Sequence, residues 1–184
     1  MQLGSVEIYC GYFPGVIGRI TEMHALYYSG LVGFGQYFES KVATEIAEFM
    51  SRMDNCDNGL WTALQAGRIV GSVVIDVNCQ TRNVAHLRWF IVDAAFQGKG
   101  IGRRLLEEAI KHSDHRELES IYLWTFSGLD AARHLYESVG FGLATEKRAA
   151  QWGKEVMEQK FVRNDLNCKK SNYNKGSRGQ AFSF

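Results

Sequence analysis

Residues 87–112 read LRWFIVDAAFQGKGIGRRLLEEAIKH, and this stretch decides the fold. It begins with a run of aromatic and β-branched residues, which predicts a strand buried on both faces. Three glycines follow at alternate positions, Gly98, Gly100 and Gly102. The apolar residues after them recur at helical spacing. The stretch is therefore predicted to form a strand, a glycine loop and a helix, in that order.

The glycine loop has the properties of an anion site. The start of a helix exposes backbone N–H groups and the positive end of the helix dipole, and glycines leave room for an anion to reach them. The expected occupant is a phosphate or pyrophosphate. Lys99, Arg103 and Arg104 add positive charge at the same place. The alternative is an ordinary strand-to-helix turn that happens to be rich in glycine.

Two common nucleotide motifs do not fit this loop. The dinucleotide fingerprint needs a third glycine where this chain has Arg103, and the P-loop needs a Gly-Lys-Ser/Thr ending that the loop lacks. The pattern Q/R-x-x-G-x-G/A after a buried strand does fit, at Gln97, Gly100 and Gly102. It resembles the acetyl-CoA loop of the GNAT superfamily of N-acetyltransferases.

A second motif lies downstream, where residues 131–141 read AARHLYESVGF. It resembles the second CoA-side motif of the same superfamily, A-x-x-L-Y-x-x-x-G-F. The matching residues are Ala132, Leu135, Tyr136, Gly140 and Phe141. The chain departs from the family at Leu129, where asparagine is common, and at Ala94, where proline is common. Neither departure touches the glycine loop.

A nearer resemblance is to the acetyltransferase half of MarR-type regulator–acetyltransferase fusions. The strings L-R-W-F-I-V-D, L-W-T and A-A-R-H-L-Y-E-S carry this resemblance. In such fusions, a DNA-binding winged helix comes before the acetyltransferase domain.

Hydrophobic periodicity predicts the element order β-α-α-β-β-β-α-β-α-β-β. The predicted strands cover residues 6–12, 60–64, 69–77, 84–92, 120–126, 141–145 and 156–162. The predicted helices cover residues 16–31, 38–53 and 129–139, with one more after the glycine loop. A polar connection is predicted over residues 146–153. This order is the one expected of the GNAT fold, an α/β (α+β) fold with a mixed central sheet of about seven strands and helices on both faces.

The resemblance also implies how acetyl-CoA, the expected cosubstrate, would bind. The fourth and fifth strands would splay apart, and CoA would enter the notch between them, paired with backbone groups of the fourth strand. The implied CoA-binding residues are Ile91, Val92, Gln97, Gly98, Lys99, Gly100, Ile101, Gly102, Arg103, Ala132 and Tyr136.

Length and composition describe an ordinary globular protein. The 184 residues predict one acetyltransferase domain over residues 1–163, and the Asn-, Lys-, Ser- and Gly-rich residues 164–184 are expected to be a disordered tail. A net charge of +1 does not favour nucleic acid or membrane surfaces. The four cysteines form no C-x-x-C pair, and no signal peptide is visible, so a cytoplasmic protein is expected.

Tyr136 is the candidate catalytic acid. Acetyl transfer to an amine requires a neutral amine, a polarised thioester carbonyl and protonation of the departing thiolate. A phenol with a pKa of about 10 remains protonated at neutral pH and can donate to sulfur. The alternative role for Tyr136 is as a core residue that fills the apolar stripe of its helix. The motif match favours the catalytic role.

The general base is left open. Many family members use a glutamate on the fourth strand, but this strand has only His86 and Arg88 before Asp93. His86 titrates in the right range, although a surface histidine at the strand start is the better interpretation. Asp93 is expected to cap or turn the chain. The first helix contributes Glu22, His24, Tyr27 and Tyr28 as acceptor-pocket candidates, or as an ordinary surface face.

No metal site is predicted. His112, Asp114, His115 and Glu117 resemble a metal-binding cluster, but a solvated loop after the third helix is the expected structure.

The sequence thus predicts an acetyl-CoA-dependent N-acetyltransferase that acts on a primary amine, carried by a small molecule or a peptide. Direct transfer in a ternary complex is expected, because neither motif contains a cysteine nucleophile. The alternative is a non-catalytic CoA-binding sensor or interaction module on the same fold. No nucleic acid or membrane partner is expected. A homodimer is one expected state, because dimers are common in such folds.

Overall fold

The described part of the chain forms seven strands and four α-helices in the predicted order. The computed structural model describes residues 5–55, 57–77 and 83–164. The strands are β1 (Glu7–Cys10), β2 (Gly59–Gln65), β3 (Arg68–Val77), β4 (Val84–Val92), β5 (Ser120–Phe126), β6 (Gly142–Ala149) and β7 (Val156–Asn164). The helices are α1 (Val16–Val32), α2 (Gln36–Met50), α3 (Ile101–His115) and α4 (Asp130–Ser138).

The strands form one mixed sheet in the order β1-β2-β3-β4-β5-β7-β6. Neighbouring strands pair antiparallel, except that β4 and β5 run parallel. One hydrophobic core lies between the sheet and α3, and a second lies between the sheet and the α1–α2 pair. The predicted seven-stranded mixed sheet with helices on both faces is therefore confirmed.

The largest difference from the prediction is in β6. Residues 146–149 were predicted to be part of a polar connection, but they continue β6 as far as Ala149. Glu146 pairs with Gln159 and Lys147 pairs with Glu158 across the ladder to β7. The side chains of this edge strand are exposed on both faces, so no apolar alternation marks it in the sequence.

The predicted end of α2 at residue 53 is also wrong, because the helix ends at Met50. The side chain of the buried Asn58 occupies the turn that follows. Its Nδ2 donates to the Arg52 carbonyl over 2.8 Å, and its Oδ1 accepts from the Val77 N–H over 2.8 Å. These two bonds tie the turn to the end of β3 instead of extending the helix.

A bulge in β4 distributes its side chains between the two cores. Ala85 and Leu87 belong to the α3-side core, whereas Trp89 and Ile91 belong to the α1–α2 side. The backbone of Trp89 has φ 44°, and the register with β3 shifts at this point. An extra residue in one strand reverses the facing of every residue after it. The predicted burial of this strand on both faces results from the bulge.

The parallel pairing of β4 with β5 is short. It covers Val84↔Ser120, Ala85↔Ile121 and His86↔Tyr122, and within the described part of the chain it extends no further. Beyond His86 the two strands separate, which confirms the predicted splay. The gap between them opens into the cavity described below.

Two other expectations concern membranes and the tail. None of the helices in the described ranges has the length and apolar character that crossing a bilayer requires. Of the predicted tail, Asn164 is the last residue of β7, and residues 165–184 lie outside the described residues.

Stability should depend strongly on Phe49, which is fully buried in the α1–α2 core with its ring 5.7 Å from that of Trp89. Phe49→Ala should lower the free energy of unfolding by about 3–5 kcal/mol, because a large cavity remains. The matched control is Leu26→Ala on α1, where the side chain is 69% exposed and the expected change is below about 0.5 kcal/mol. Urea unfolding measures both, and equal changes would contradict this packing.

Candidate active site

A cavity of about 360 Å³ occupies the gap between β4 and β5 and continues under α1 and α2. Strand residues supply one wall, and the two helices supply the other. The loop between β6 and β7 closes one end with Gln151 and Trp152. The other lining residues are His24, Tyr28, Phe34, Phe38, Lys41, Val42, Glu45, His86, Leu87, Arg88, Trp89, Phe90, Leu123, Trp124, Thr125, Phe126 and Tyr136.

The glycine loop is held in place by its own side chains. Asp93 accepts from the Ala95 N–H over 3.1 Å and so caps a short 3₁₀ turn, Ala94–Phe96, as expected. Gln97 Nε2 donates to the Val92 carbonyl, and Lys99 Nζ donates to the Ala95 carbonyl, both over 3.0 Å. In this structure, the side chains of Gln97 and Lys99 therefore shape the loop.

The three loop glycines have two different roles. Gly98 and Gly100 have φ 74° and 77°, and a Cβ on either would meet open space. At Gly102 a Cβ would lie 3.3 Å from Phe90 Cζ and 3.4 Å from Leu135 Cδ1. Gly102 therefore allows α3 to approach β4 and α4 closely. A side chain is thus excluded at Gly102 by packing, whereas Gly98 and Gly100 lie beside open space.

The first turn of α3 presents unpaired backbone donors. Gly100 precedes the helix, and the first N–H to bond back to it is that of Arg104, over 3.1 Å. The N–H groups of residues 101–103 therefore point out of the helix end. The side chain of Ile101 is buried, so only its backbone can contact a ligand here. The side chain of Arg103 is exposed beside the loop.

Tyr136 lies on α4 with 6% of its surface exposed, and it lines the cavity. Its ring packs at centroid distances of 5.7 Å from Phe90 and 6.1 Å from Phe141. Burial raises the pKa of the phenol, so the hydroxyl stays protonated. Among the described residues, none forms a hydrogen bond with its Oη, which leaves that proton available to a ligand.

Two neutral histidines line the same cavity. Burial lowers the pKa of His24 to about 4 and that of His86 to about 3. The His24 Nδ1–H donates to the Ile20 carbonyl over 2.9 Å, because a carbonyl can only accept. The ring of His86 stacks on Tyr122 at 4.4 Å. The interpretation of His86 as a surface histidine is therefore wrong.

A chain of charged side chains lies along the cavity, and the sequence analysis did not assign it to the site. Lys41 Nζ pairs with Glu45 at 2.6 Å, and Glu45 also accepts from Arg88. Arg88 reaches Asp76 at 3.3 Å, and Arg52 reaches the other Asp76 oxygen at 2.6 Å. Burial opposes ionisation of Asp76, but the hydrogen bonds and charges of the two arginines outweigh it and lower its pKa.

A cluster of aromatic side chains, here called the aromatic wall, lines the cavity on the side of the helices. It consists of Tyr28, Phe34, Phe38, Phe126 and Trp152. Phe34 is its centre, with ring centroids 4.9 Å from Phe38, 5.7 Å from Phe126 and 6.1 Å from both Tyr28 and Trp152. These residues come from four separate parts of the chain, so no local motif could have indicated the wall.

Of the residues on α1 that the sequence offered for the acceptor pocket, only two line the cavity. His24 and Tyr28 line the cavity, whereas Glu22 has a side chain 54% exposed and pairs with Arg19. Tyr27 is not among the lining residues and packs on Tyr28 at 5.0 Å. Trp124 of β5 also lines the cavity.

The suspected metal cluster has a structural role. The expectation of a loop was wrong here, because α3 runs to His115 and contains His112 and Asp114. His112 Nε2 contacts the Asp57 carbonyl at 2.9 Å, and Asp114 forms a two-pronged pair with Arg163. Within the described ranges, no group of three or more His, Cys, Asp or Glu side chains is placed to hold a metal ion.

Residues 20–141 match the acetyltransferase (GNAT) family, in agreement with the fold and the gap between β4 and β5. The chain belongs to the GNAT family. The human N-acetylaspartate synthetase is 34% identical over 139 residues, which cover 68% of this chain and 44% of that protein. An uncharacterized N-acetyltransferase of Methanocaldococcus jannaschii is 29% identical over 120 residues, which cover 63% of this chain and 53% of that protein. The chain thus spans about half the length of these relatives.

Solved structures show the same GNAT fold. A Salmonella typhimurium protein solved with its cofactor acetyl-CoA has a TM-score of 0.69 at 16% identity, with 89% of this chain and 96% of that chain covered. The Escherichia coli ribosomal-protein-S18-alanine N-acetyltransferase has a TM-score of 0.65 at 18% identity, with 98% and 100% covered. The predicted GNAT fold is confirmed, as is the assignment to an acetyltransferase family. The nearer likeness to MarR-type fusions stays a prediction.

The two neutral histidines predict an acid-sensitive GNAT fold. An unfolded histidine titrates near pH 6.5, whereas the folded pKa values are about 4 for His24 and 3 for His86. Below pH 6.5 the unfolded chain binds protons that the folded chain does not, so stability falls with falling pH. The loss is at most about 1.4 kcal/mol per pH unit for each histidine.

Urea unfolding at pH 7 and pH 5 measures this loss. His24→Asn keeps a donor for the Ile20 carbonyl but cannot titrate, and it should lose less stability than the wild type between the two pH values. His86→Asn should behave in the same way. Identical pH dependence in wild type and both variants would show that neither histidine is held neutral.

Proposed function

We propose that this chain is an acetyl-CoA-dependent N-acetyltransferase that transfers the acetyl group directly to a primary amine in a ternary complex. The observation that carries the proposal is that a glycine loop and a buried tyrosine lie beside the same gap between β4 and β5. The glycine loop and the open end of α3 lie at the end of β4, and the protonated hydroxyl of Tyr136 lines the cavity beside the same strand. A phosphate site and an acid next to one cleft are what acetyl transfer from CoA requires.

The residues present fit CoA. The open space above Gly98 and Gly100 leaves the N–H groups of residues 101–103 accessible to a pyrophosphate, with Arg103 beside them. Beyond His86, the edge of β4 that faces β5 forms no ladder in the described structure, so Ile91 and Val92 can pair with an extended pantetheine arm. Ala132, half-buried on α4, lies on the same side as Tyr136.

When bound, acetyl-CoA would supply an activated acetyl thioester. The chain's own part is to hold and donate a proton beside the cavity. Tyr136 Oη holds a proton that can be donated to the departing sulfur, and the raised pKa of this phenol keeps that proton in place at pH 7. His24 and His86 remain neutral, so they present the incoming amine with no additional positive charge.

The acceptor is proposed to be a primary amine of a small molecule or a peptide. N-acetylaspartate synthetase is named for a small N-acetylated amino acid. An N-alpha-acetyltransferase of Mycobacterium tuberculosis is 50% identical over 50 residues, which cover 27% of this chain and 30% of that protein. The cytoplasmic location and the homodimer stay predictions.

CoA affinity should depend on Gly100. Gly100→Val places a β-branched side chain at a left-handed position in front of the N–H donors and should weaken CoA binding by at least about tenfold. Gly67→Val is the matched control, because Gly67 has φ 76° and open space but lies in the β2–β3 turn. Calorimetry on both folded variants should show weakened binding only at Gly100. Equal affinities would remove the loop from the CoA site.

Turnover should depend on Tyr136 more than CoA binding does. Tyr136→Phe keeps the ring and its packing but removes the proton donor, so kcat should fall within or below the range of about 10²–10⁴-fold typical of general acid catalysis. CoA affinity and melting temperature should change little. Tyr122→Phe, a residue outside the cavity lining, makes the same chemical change as a control. Wild-type turnover in Tyr136→Phe, measured where chemistry limits the rate, would assign Tyr136 to packing alone.

The alternative, a non-catalytic CoA-binding module, predicts a different result for the wild type. A CoA-binding module would bind acetyl-CoA through the same loop but would acetylate no amine in a panel of amino acids, polyamines, aminoglycosides and peptides. Transfer to any of these amines at a rate abolished by heat denaturation would exclude the module.

A further inference from the structure

On the basis of the proposed N-acetyltransferase activity, we propose that the acceptor is a free α-amino acid with an aromatic or large apolar side chain. Its carboxylate would be bound by Arg88, and its side chain would lie against the aromatic wall. Three observations support this proposal. They are the unused N–H donors of Arg88, the aromatic composition of the wall and the net positive charge of the cavity.

Arg88 is positioned to bind a carboxylate. Its guanidinium has five N–H donors, and among the described residues only two hydrogen bonds use them, one to Glu45 and one to Asp76. The guanidinium carbon also lies 4.2 Å from the centroid of the Trp89 ring, and this contact with the two carboxylate bonds restricts its movement. The side chain is 18% exposed and lines the cavity, so its remaining donors can reach a ligand there. A fixed guanidinium with spare donors suits two-pronged binding of a carboxylate.

The charge of the lining points the same way. Lys41, Arg88 and Arg52 are positive, Glu45 and Asp76 are negative, and His24 and His86 are neutral, so this connected set of charges keeps one positive charge in excess. A carboxylate on the acceptor would balance this excess in a partly desolvated site. A polycationic amine such as a polyamine would increase it, and like charges at close range are unfavourable.

The aromatic wall gives the other end of the acceptor its chemistry. Phe34, Phe38 and Phe126 are at most 5% exposed, so an apolar group placed against them meets rings and not water. Aromatic rings pack favourably on such a wall through edge and offset contacts. A carboxylate side chain such as that of aspartate would find only two polar groups among these rings, the Tyr28 hydroxyl and the Trp152 indole N–H, and no positive charge to balance its own.

Helix α2 sets the distance between the two ends. Phe38 of the aromatic wall and Glu45, the partner of Arg88, both line the cavity from this helix. Seven residues separate them, which corresponds to about 10 Å along a helix. A phenylalanine-sized molecule can therefore extend from the charged end toward the aromatic end, with its amine in the middle of the cavity.

The test compares four acceptors under identical conditions with the full chain and acetyl-CoA. They are L-phenylalanine, phenethylamine, which lacks the carboxylate, L-alanine, which lacks the ring, and L-aspartate. We expect kcat/KM to be highest for phenylalanine and lower by about 10- to 100-fold for each of the others. Equal values for phenylalanine and phenethylamine, or a higher value for aspartate, would overturn the proposal.

Two variants test separately the contact with the acceptor's carboxylate and the contact with its side chain. Arg88→Met should bring the phenylalanine-to-phenethylamine ratio of kcat/KM close to one, and Trp152→Ala should reduce the phenylalanine-to-alanine ratio. Arg148→Met on the exposed edge strand, where the arginine pairs with Glu155, is the matched control and should leave both ratios unchanged. An unchanged carboxylate ratio in Arg88→Met would overturn the role of Arg88.

Removal of Arg88 also leaves Glu45 and Asp76 with fewer partners, so Arg88→Met requires a folding check by circular dichroism. Arg88→Lys keeps the charge and provides a second variant in which the two-pronged contact is lost and the carboxylate ratio should fall. Calorimetry with CoA separates the two levels of the proposal. Absence of CoA binding in the wild type would overturn the proposed function. CoA binding together with equal kcat/KM for phenylalanine and phenethylamine would overturn the acceptor class alone.

Discussion

The pairing between β4 and β5 stops at His86↔Tyr122, and the candidate site depends on that interruption. If the ladder continued, the backbone of β4 would be satisfied by β5, and no gap would exist for a pantetheine arm. The bulge at Trp89 is the second part of the same constraint. It turns Trp89 and Ile91 toward the α1–α2 core and Phe90 toward Tyr136, so one irregular strand contacts groups on both faces of the sheet.

The site combines a glycine loop whose side chains bond to nearby backbone with a cavity whose side chains bond to one another across different elements. Gln97, Lys99 and Asp93 all hydrogen-bond to the loop's own backbone, which keeps the helix end open. In the cavity, Arg88 holds together two carboxylates from different elements. Under the proposed function, the first arrangement would bind the constant phosphate groups of CoA, and the second would discriminate among acceptors.

Much of the site near the two motifs could be predicted from sequence. The glycine loop, the start of α3 and the inward position of Tyr136 follow from residues close together in the chain, where helical and strand periods are visible. The role of Gly102 could not be predicted, because its neighbours Phe90 and Leu135 come from β4 and α4. The edge strand β6 was shortened in the prediction because exposed polar residues show no alternation.

The sequence by itself determined the family, the order of the elements and the position of the glycine loop, because each depends on local spacing. Only the tertiary structure decided which residues line the cavity. Glu45 on α2 has the pattern of a solvated helix residue, and it becomes part of the site because Arg88 on β4 lies across the cavity. The aromatic wall likewise brings together α1, α2, β5 and the β6–β7 loop. Contacts between distant segments are made by packing, and no periodicity within one segment encodes them.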